Sequence, residues 1–206
     1  MSDVTEIICV IDRSGSMEPI QGDAIGGFNA FLTAQKELAG EAKLTLVLFD
    51  QEYEVVHDGA PVVSVAPLDE RTYVPRGMTA LFDAVGRAIM TVDARLAKTV
   101  DQPRTVIACI LTDGEENSSR EYTRTQIFDL IREHKAKGWE FLFLAANQDA
   151  FSAAEKMAID RKSAVSFEAS GRGITGAFSS ATNIVTGLRG TSKKHSDDDG
   201  SGGGLH

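Results

Sequence analysis

The sequence predicts an α/β protein: a doubly wound, mostly parallel six-stranded sheet with one antiparallel edge strand and helices on both faces. Three observations carry that expectation. Short apolar runs alternate with longer segments of helical periodicity, the pattern of strands joined by crossover helices. Two of the runs, Thr5–Ile11 (TEIICVI) and Thr105–Leu111 (TVIACIL), are apolar almost throughout, as strands buried on both faces are. And Lys43–Phe49 is followed after three residues by Tyr53–His57, a gap that suits a hairpin and makes the second strand antiparallel at an edge.

The elements follow in order. After the first strand, a helix is expected over Pro19–Leu38, with Ile25, Phe28, Phe31 and Leu32 at helical spacing; Gly22, Gly26 and Gly27 weaken it, so close packing must hold it. Residues 58 to 78 read as loop, with Pro61, Pro67, Pro75 and Gly77 as breakers. A helix over Thr79–Ala97 has Leu81, Phe82, Val85, Ile89 and Val92 on one face, and Thr79 is placed to cap it. The strand Thr105–Leu111 leads to a helix over Thr123–Lys137 stopped by Gly138. The strand Glu140–Ala145, a short helix at Ala150–Met157 and a weaker edge strand at Ala164–Phe167 come next. A last helix over Ile174–Leu188 presents one apolar stripe. One domain is therefore expected over residues 1–190, and a disordered polar tail over 191–206.

With 206 residues the chain suits a single domain, and its 42% hydrophobic and 25% charged residues are ordinary for a globular protein. The formal net charge of -9 speaks against nucleic acid, which needs a basic patch. No run of about 18 apolar residues suggests a membrane span, and the opening MSDVTEIICV lacks the pattern of a secretory signal. The two cysteines, Cys9 and Cys109, lie inside strand-like runs and read as buried thiols; a disulfide between neighbouring strands is the alternative. A cytoplasmic protein is the expectation.

The chemistry gathers where strands end. Asp12-Arg13-Ser14-Gly15-Ser16 leaves the first central strand, and Thr112-Asp113-Gly114-Glu115 leaves the other. In open parallel sheets ligands bind at that edge. Between them in sequence lies Thr79, in Gly77-Met78-Thr79-Ala80-Leu81. Three loops thus bring Asp12, Ser14, Ser16, Thr79 and Asp113 to one rim. Hard oxygen donors without His or Cys suit Mg²⁺, with Mn²⁺ or Ca²⁺ also possible, and argue against zinc. Three neutral hydroxyls and two carboxylates leave a cation electrophilic and with room for an outside ligand.

This Asp-x-Ser-x-Ser loop, with the threonine and the Thr-Asp-Gly in order after it, resembles the metal-ion-dependent adhesion site of von Willebrand factor A domains, a Rossmann-like fold, across roughly residues 4 to 188. The resemblance implies that Ser14, Ser16 and Thr79 touch the metal, and that Asp12 and Asp113 bind it directly or through water. It implies a protein partner whose Asp or Glu completes the coordination. The glycine usual before the threonine is Met78 here, which bears on the shape of that loop. Arg13, Met17, Arg76, Met78 and Glu115 are candidate rim residues for partner contact. Glu115, Glu116 and Asn117 read more simply as solvated loop residues.

The leading expectation is a metal-dependent protein-binding module rather than an enzyme. A subunit or scaffold of a multiprotein complex, for example beside an ATPase and with the metal site structural or idle, is the alternative. A metal-dependent phosphatase is weaker, because Ser14 stands where such enzymes need a second aspartate as acid or base. No Gly-x-x-x-x-Gly-Lys-Ser/Thr phosphate loop is present. Mobility of the last helix, eased by Gly171, Gly173 and Gly176, is a further expectation.

Overall fold

A computed structural model describes residues 2–146 and 149–194. Six strands form one sheet: β1 (Ser2–Asp12), β2 (Ala42–Phe49), β3 (Tyr53–Pro61), β4 (Pro103–Thr112), β5 (Trp139–Ala145) and β6 (Ala164–Ser166). Their spatial order is β3-β2-β1-β4-β5-β6, all parallel except β3, which pairs antiparallel with β2. The order reverses direction between β1 and β4, so the two neighbouring central strands flank the switch point where α/β sheets open a crevice.

Alternation along the strands splits the core in two. Ile7, Cys9 and Ile11 of β1, with Leu44, Leu46 and Leu48 of β2 and Ile107, Cys109 and Leu111 of β4, face α1 (Gln21–Glu37) and α5 (Gly171–Lys194). Ile8, Val10, Val47, Phe49, Ala108 and Ile110 face the other way, toward α2 (Leu81–Leu96), α3 (Arg124–Ala136) and α4 (Ala150–Glu155). Burial on both faces is why these strands read as unbroken apolar runs. Cys9 and Cys109 sit opposite each other in the β1–β4 register, and both thiols are free.

The helix termini show which signals act. Thr123 caps α3 and forms a reciprocal capping box with Gln126. Gly138, at φ +89°, turns the chain into β5. Thr79, in contrast, does not cap α2. That helix starts at Leu81 after Ala80, because Thr79 is drawn off the helix by paired hydrogen bonds with Asn117: its N–H donates to Asn117 Oδ1 at 2.9 Å and its carbonyl accepts from Asn117 N at 3.0 Å.

The first expected helix is two pieces, a 3-10 turn over Gly15–Ile20 and then α1, the break falling just after Pro19. Of its glycines only Gly27 is packed tightly, against the Phe178 ring of α5; Gly22 and Gly26 face open space. Arg189 near the end of α5 is buried and donates to the Gln35 carbonyl at 2.8 Å and the Gly40 carbonyl at 3.1 Å, tying α5 to the end of α1. The region expected to be all loop after His57 instead continues β3 to Pro61 and adds a 3-10 turn at Val62–Ser64. The last helix, expected over Ile174–Leu188, is longer at both ends, running as α5 from Gly171 to Lys194. With no proline after Gly190, a helix anchored by its apolar stripe propagates into polar sequence. Residues 195–206 lie outside the described residues. Among the described residues no helix is long and apolar enough to cross a membrane.

Candidate metal centre

The loops after β1 and β4 emerge side by side because the two strands are neighbours, and the segment before α2 folds over them. Asp12 ends β1 with its side chain fully buried. One carboxylate oxygen accepts from Ser14 N at 2.7 Å, and the other from Thr112 Oγ1 at 2.6 Å. Its carbonyl accepts from the hydroxyl of buried Tyr73 at 2.6 Å. Ser14 Oγ lies 3.0 Å from Ser16 Oγ, and Ser16 Oγ donates to Asp113 Oδ1 at 2.6 Å.

Thr79 completes the group through Gly114. A Cβ added to Gly114 would stand 3.1 Å from Thr79 Oγ1 and 3.6 Å from Ser16 Oγ, so these two hydroxyls converge on that glycine. All five residues singled out in the sequence are thus brought together at the carboxyl edge of the sheet.

The electrostatics of the group suit a cation. Burial pushes the Asp12 carboxyl up to about 6, against the lowering effect of its bonds from Thr112 and Ser14, and the neighbouring Asp113 charge adds to the rise. Burial raises Asp113 as well, opposed by the bond from Ser16. Two carboxylates that burial makes reluctant to ionise side by side are relieved by a positive charge between them. Among the described residues there is no group of three or more His, Cys, Asp or Glu side chains fit to hold a metal. Any cation held at this edge would draw on serine and threonine oxygens beside the two carboxylates, and oxygen-only donors fit a hard divalent cation.

The rim divides. Arg76 is half exposed, Met78 is 49% exposed and Glu115 is exposed. Arg13 and Met17 are corrected: they are 4% and 0% exposed, and neither reaches the surface. Arg13 turns inward to Asp50 at 3.0 Å and Glu54 at 2.5 Å. The 3-10 turn after the serines drives Met17 into the core beneath α1.

Asn117 is exposed, as expected of a loop residue, whereas Glu116 is half-buried and bonded through both carboxylate oxygens. Glu116 accepts from Phe82 N, a helix-start donor of α2, and from Ser118 N, Ser119 N and Ser119 Oγ of its own loop, at 2.7–2.9 Å. Asn117 positions Thr79. Beside Met78, Gly77 takes a left-handed conformation at φ +67°, and its carbonyl accepts from Gly15 N at 3.2 Å. Sequence reading passed over Thr112, Tyr73 and Asp50. Of these, Asp50 carried a signal, since it too leaves the carboxyl end of a parallel strand.

No protein-family model matches this chain, and no curated protein does. Solved structures do. The von Willebrand factor domain of the type V pili tip protein Mfa5 from Porphyromonas gingivalis superposes with a TM-score of 0.65 at 11% identity, covering 90% of this chain and 96% of that one. The fold is that of a von Willebrand factor A domain. Proximal thread matrix protein 1 from the mussel byssus, also at TM-score 0.65, is 12% identical over 89% of this chain. This chain spans about half the length of that protein, 46%. The Plasmodium vivax TRAP protein, solved loaded with manganese, matches at TM-score 0.59 and 14% identity over 82% of this chain and 70% of its own. At such identities the likeness is one of fold. In this von Willebrand factor A fold the five oxygen-bearing residues occupy the edge at the switch point between β1 and β4.

Proposed function

We propose that the chain is a divalent-metal-dependent protein-binding module. Asp12, Ser14, Ser16, Thr79 and Asp113 would hold the cation, and an Asp or Glu of a partner protein would complete its coordination. The observation that supports this most is the convergence of three hydroxyls and two carboxylates, from three separate loops, on one edge of the sheet.

When bound, the cation supplies a point of positive charge that a partner carboxylate can reach. The protein's own groups do the rest. Thr112 and the Ser14 amide hold the Asp12 carboxylate by both oxygens. Ser16 and Asp113 are linked across the loops, and Gly114 leaves room for Thr79 Oγ1 to face them. Because only two of the five donors are charged, the cation keeps enough positive charge to attract a third carboxylate from outside. Mg²⁺ is the cation of choice, with Mn²⁺ or Ca²⁺ accommodated by the same donors. Two of the solved neighbours are described with metal, one with a zinc-occupied MIDAS motif and one loaded with manganese. A net charge of -9 leaves nucleic acid outside the proposal.

The test is a pull-down from source-cell lysate with wild type and Asp113→Ala, each with Mg²⁺ and with EDTA, the bound proteins identified by mass spectrometry. A protein held only by wild type with Mg²⁺ supports metal-bridged binding. Equal capture in all four arms sinks it.

A further inference from the structure

Two of the three loops that meet at this edge are fastened by a single carboxylate outside the metal motif. Asp50 directly follows β2 in the β2–β3 hairpin and is 1% exposed. Its Oδ2 accepts from Arg13 Nε at 3.0 Å and from Arg76 Nε at 2.9 Å. Arg13 stands between Asp12 and Ser14; Arg76 stands three residues before Thr79. Its Oδ1 is engaged separately, by Glu52 N at 2.6 Å. The backbone repeats the connection: Arg13 N donates to the Phe49 carbonyl at 2.7 Å, Arg76 N to the Arg13 carbonyl at 2.8 Å, and Ala80 N to the Asp50 carbonyl at 3.0 Å.

We infer that Asp50 is a positioning residue that clamps the Asp-x-Ser-x-Ser loop to the Thr79 loop through Arg13 and Arg76, so that their hydroxyls are held at one place. Its effect on cation affinity rests on the metal-binding reading above. Asp50 also acts by charge. A buried guanidinium next in sequence to Asp12 and Ser14 would repel a cation. With Asp50 and Glu54 against it, the Arg13 charge is balanced within the protein. Loss of the Asp50 charge therefore weakens a cation site in two ways of the same sign: the loops loosen, and the Arg13 charge beside them is balanced by Glu54 alone. This accounts for the burial of Arg13, a candidate rim residue in the sequence.

Asp50→Asn is the informative change, because Asn keeps an Oδ1 for Glu52 N and loses the charged oxygen shared by the arginines. Arg76→Gln, at a half-exposed residue, cuts the arm from Asp50 to the Thr79 loop, together with the Arg76–Glu52 bridge, and leaves the Arg13 arm in place. Mn²⁺ binding is measured by titration calorimetry on wild type, both variants and Asp113→Ala, and hydrogen exchange is followed in the metal-free proteins. Asp50→Asn is expected to lose about 10- to 100-fold in Mn²⁺ affinity and Arg76→Gln about tenfold. Exchange should quicken at residues 13–17 and 76–80 while β1 and β4 stay protected.

Unchanged loop exchange and unchanged Mn²⁺ affinity in either folded variant would overturn the clamp. Were Asp50→Asn not to fold, Arg76→Gln decides alone. Quickened exchange in both loops of the variants, with a wild-type protein that takes up no Mn²⁺, would uphold the clamp and overturn the metal reading instead.

Discussion

Thr112 Oγ1 donates to Asp12 Oδ2 at 2.6 Å, joining the last residue of β4 to the last residue of β1. The same hydroxyl accepts from Gly114 N at 3.2 Å, so one side chain sets both the Asp12 carboxylate and the glycine beside Thr79. Thr112→Val keeps the shape and deletes the hydroxyl. It should lower divalent-cation affinity by about 10- to 100-fold with little change in fold, read by titration calorimetry against far-ultraviolet dichroism.

The raised Asp12 carboxyl gives the metal-free protein a defined pH response. Its folded value, about 6, lies above the ordinary 3.8. The group's contribution therefore favours the metal-free fold below about pH 4 and is lost as pH rises through 6. Cation binding runs the opposite way, since it needs the ionised carboxylate. The thermal upshift produced by Mg²⁺ should be full at pH 8 and fade below pH 6, where apparent affinity falls about tenfold per pH unit. A Mg²⁺ upshift equally large at pH 5 and pH 8 would contradict this.

Gly27 and Gly26 are adjacent on α1 and should respond oppositely to alanine. A Cβ at Gly27 meets Phe178 Cδ2 at 2.4 Å, whereas one at Gly26 meets nothing within 4 Å. Gly27→Ala should destabilise by about 1–3 kcal/mol through overpacking against α5. Gly26→Ala should stabilise by up to about 1 kcal/mol through helix propensity. Urea denaturation of the pair measures both.

Thr123→Ala removes one half of the capping box at the start of α3, on the far side of the sheet from α1 and α5. A loss of about 1 kcal/mol in stability is expected, with cation binding untouched. A change in affinity here would show that α3 communicates with the edge.

The sheet was readable because burial on both faces leaves a continuous apolar run, and the short β2–β3 gap betrayed the antiparallel edge. The meeting of the five oxygen-bearing residues at one edge was readable because each follows a strand or precedes a helix. What supports them was not. Arg13 meets acids 37 and 41 residues away, and no local pattern separates a buried arginine from an exposed one. Met17 looks like a loop residue until the 3-10 turn is known. Thr79 has the composition of a helix cap, but Asn117, 38 residues on, competes for it and wins. The end of α5 was missed for another reason. Polar composition ends an apolar stripe without ending a helix.

The two borders of the sheet have their own consequence. On one side β6 is only three residues long, and on the other β3 breaks register with β2 at two points. Short and bulged borders are poor templates for an incoming strand, which guards the chain against chaining copy to copy into fibres. Strand addition is thereby discouraged as a means of attachment, which accords with the proposed use of the loops at the end of the sheet.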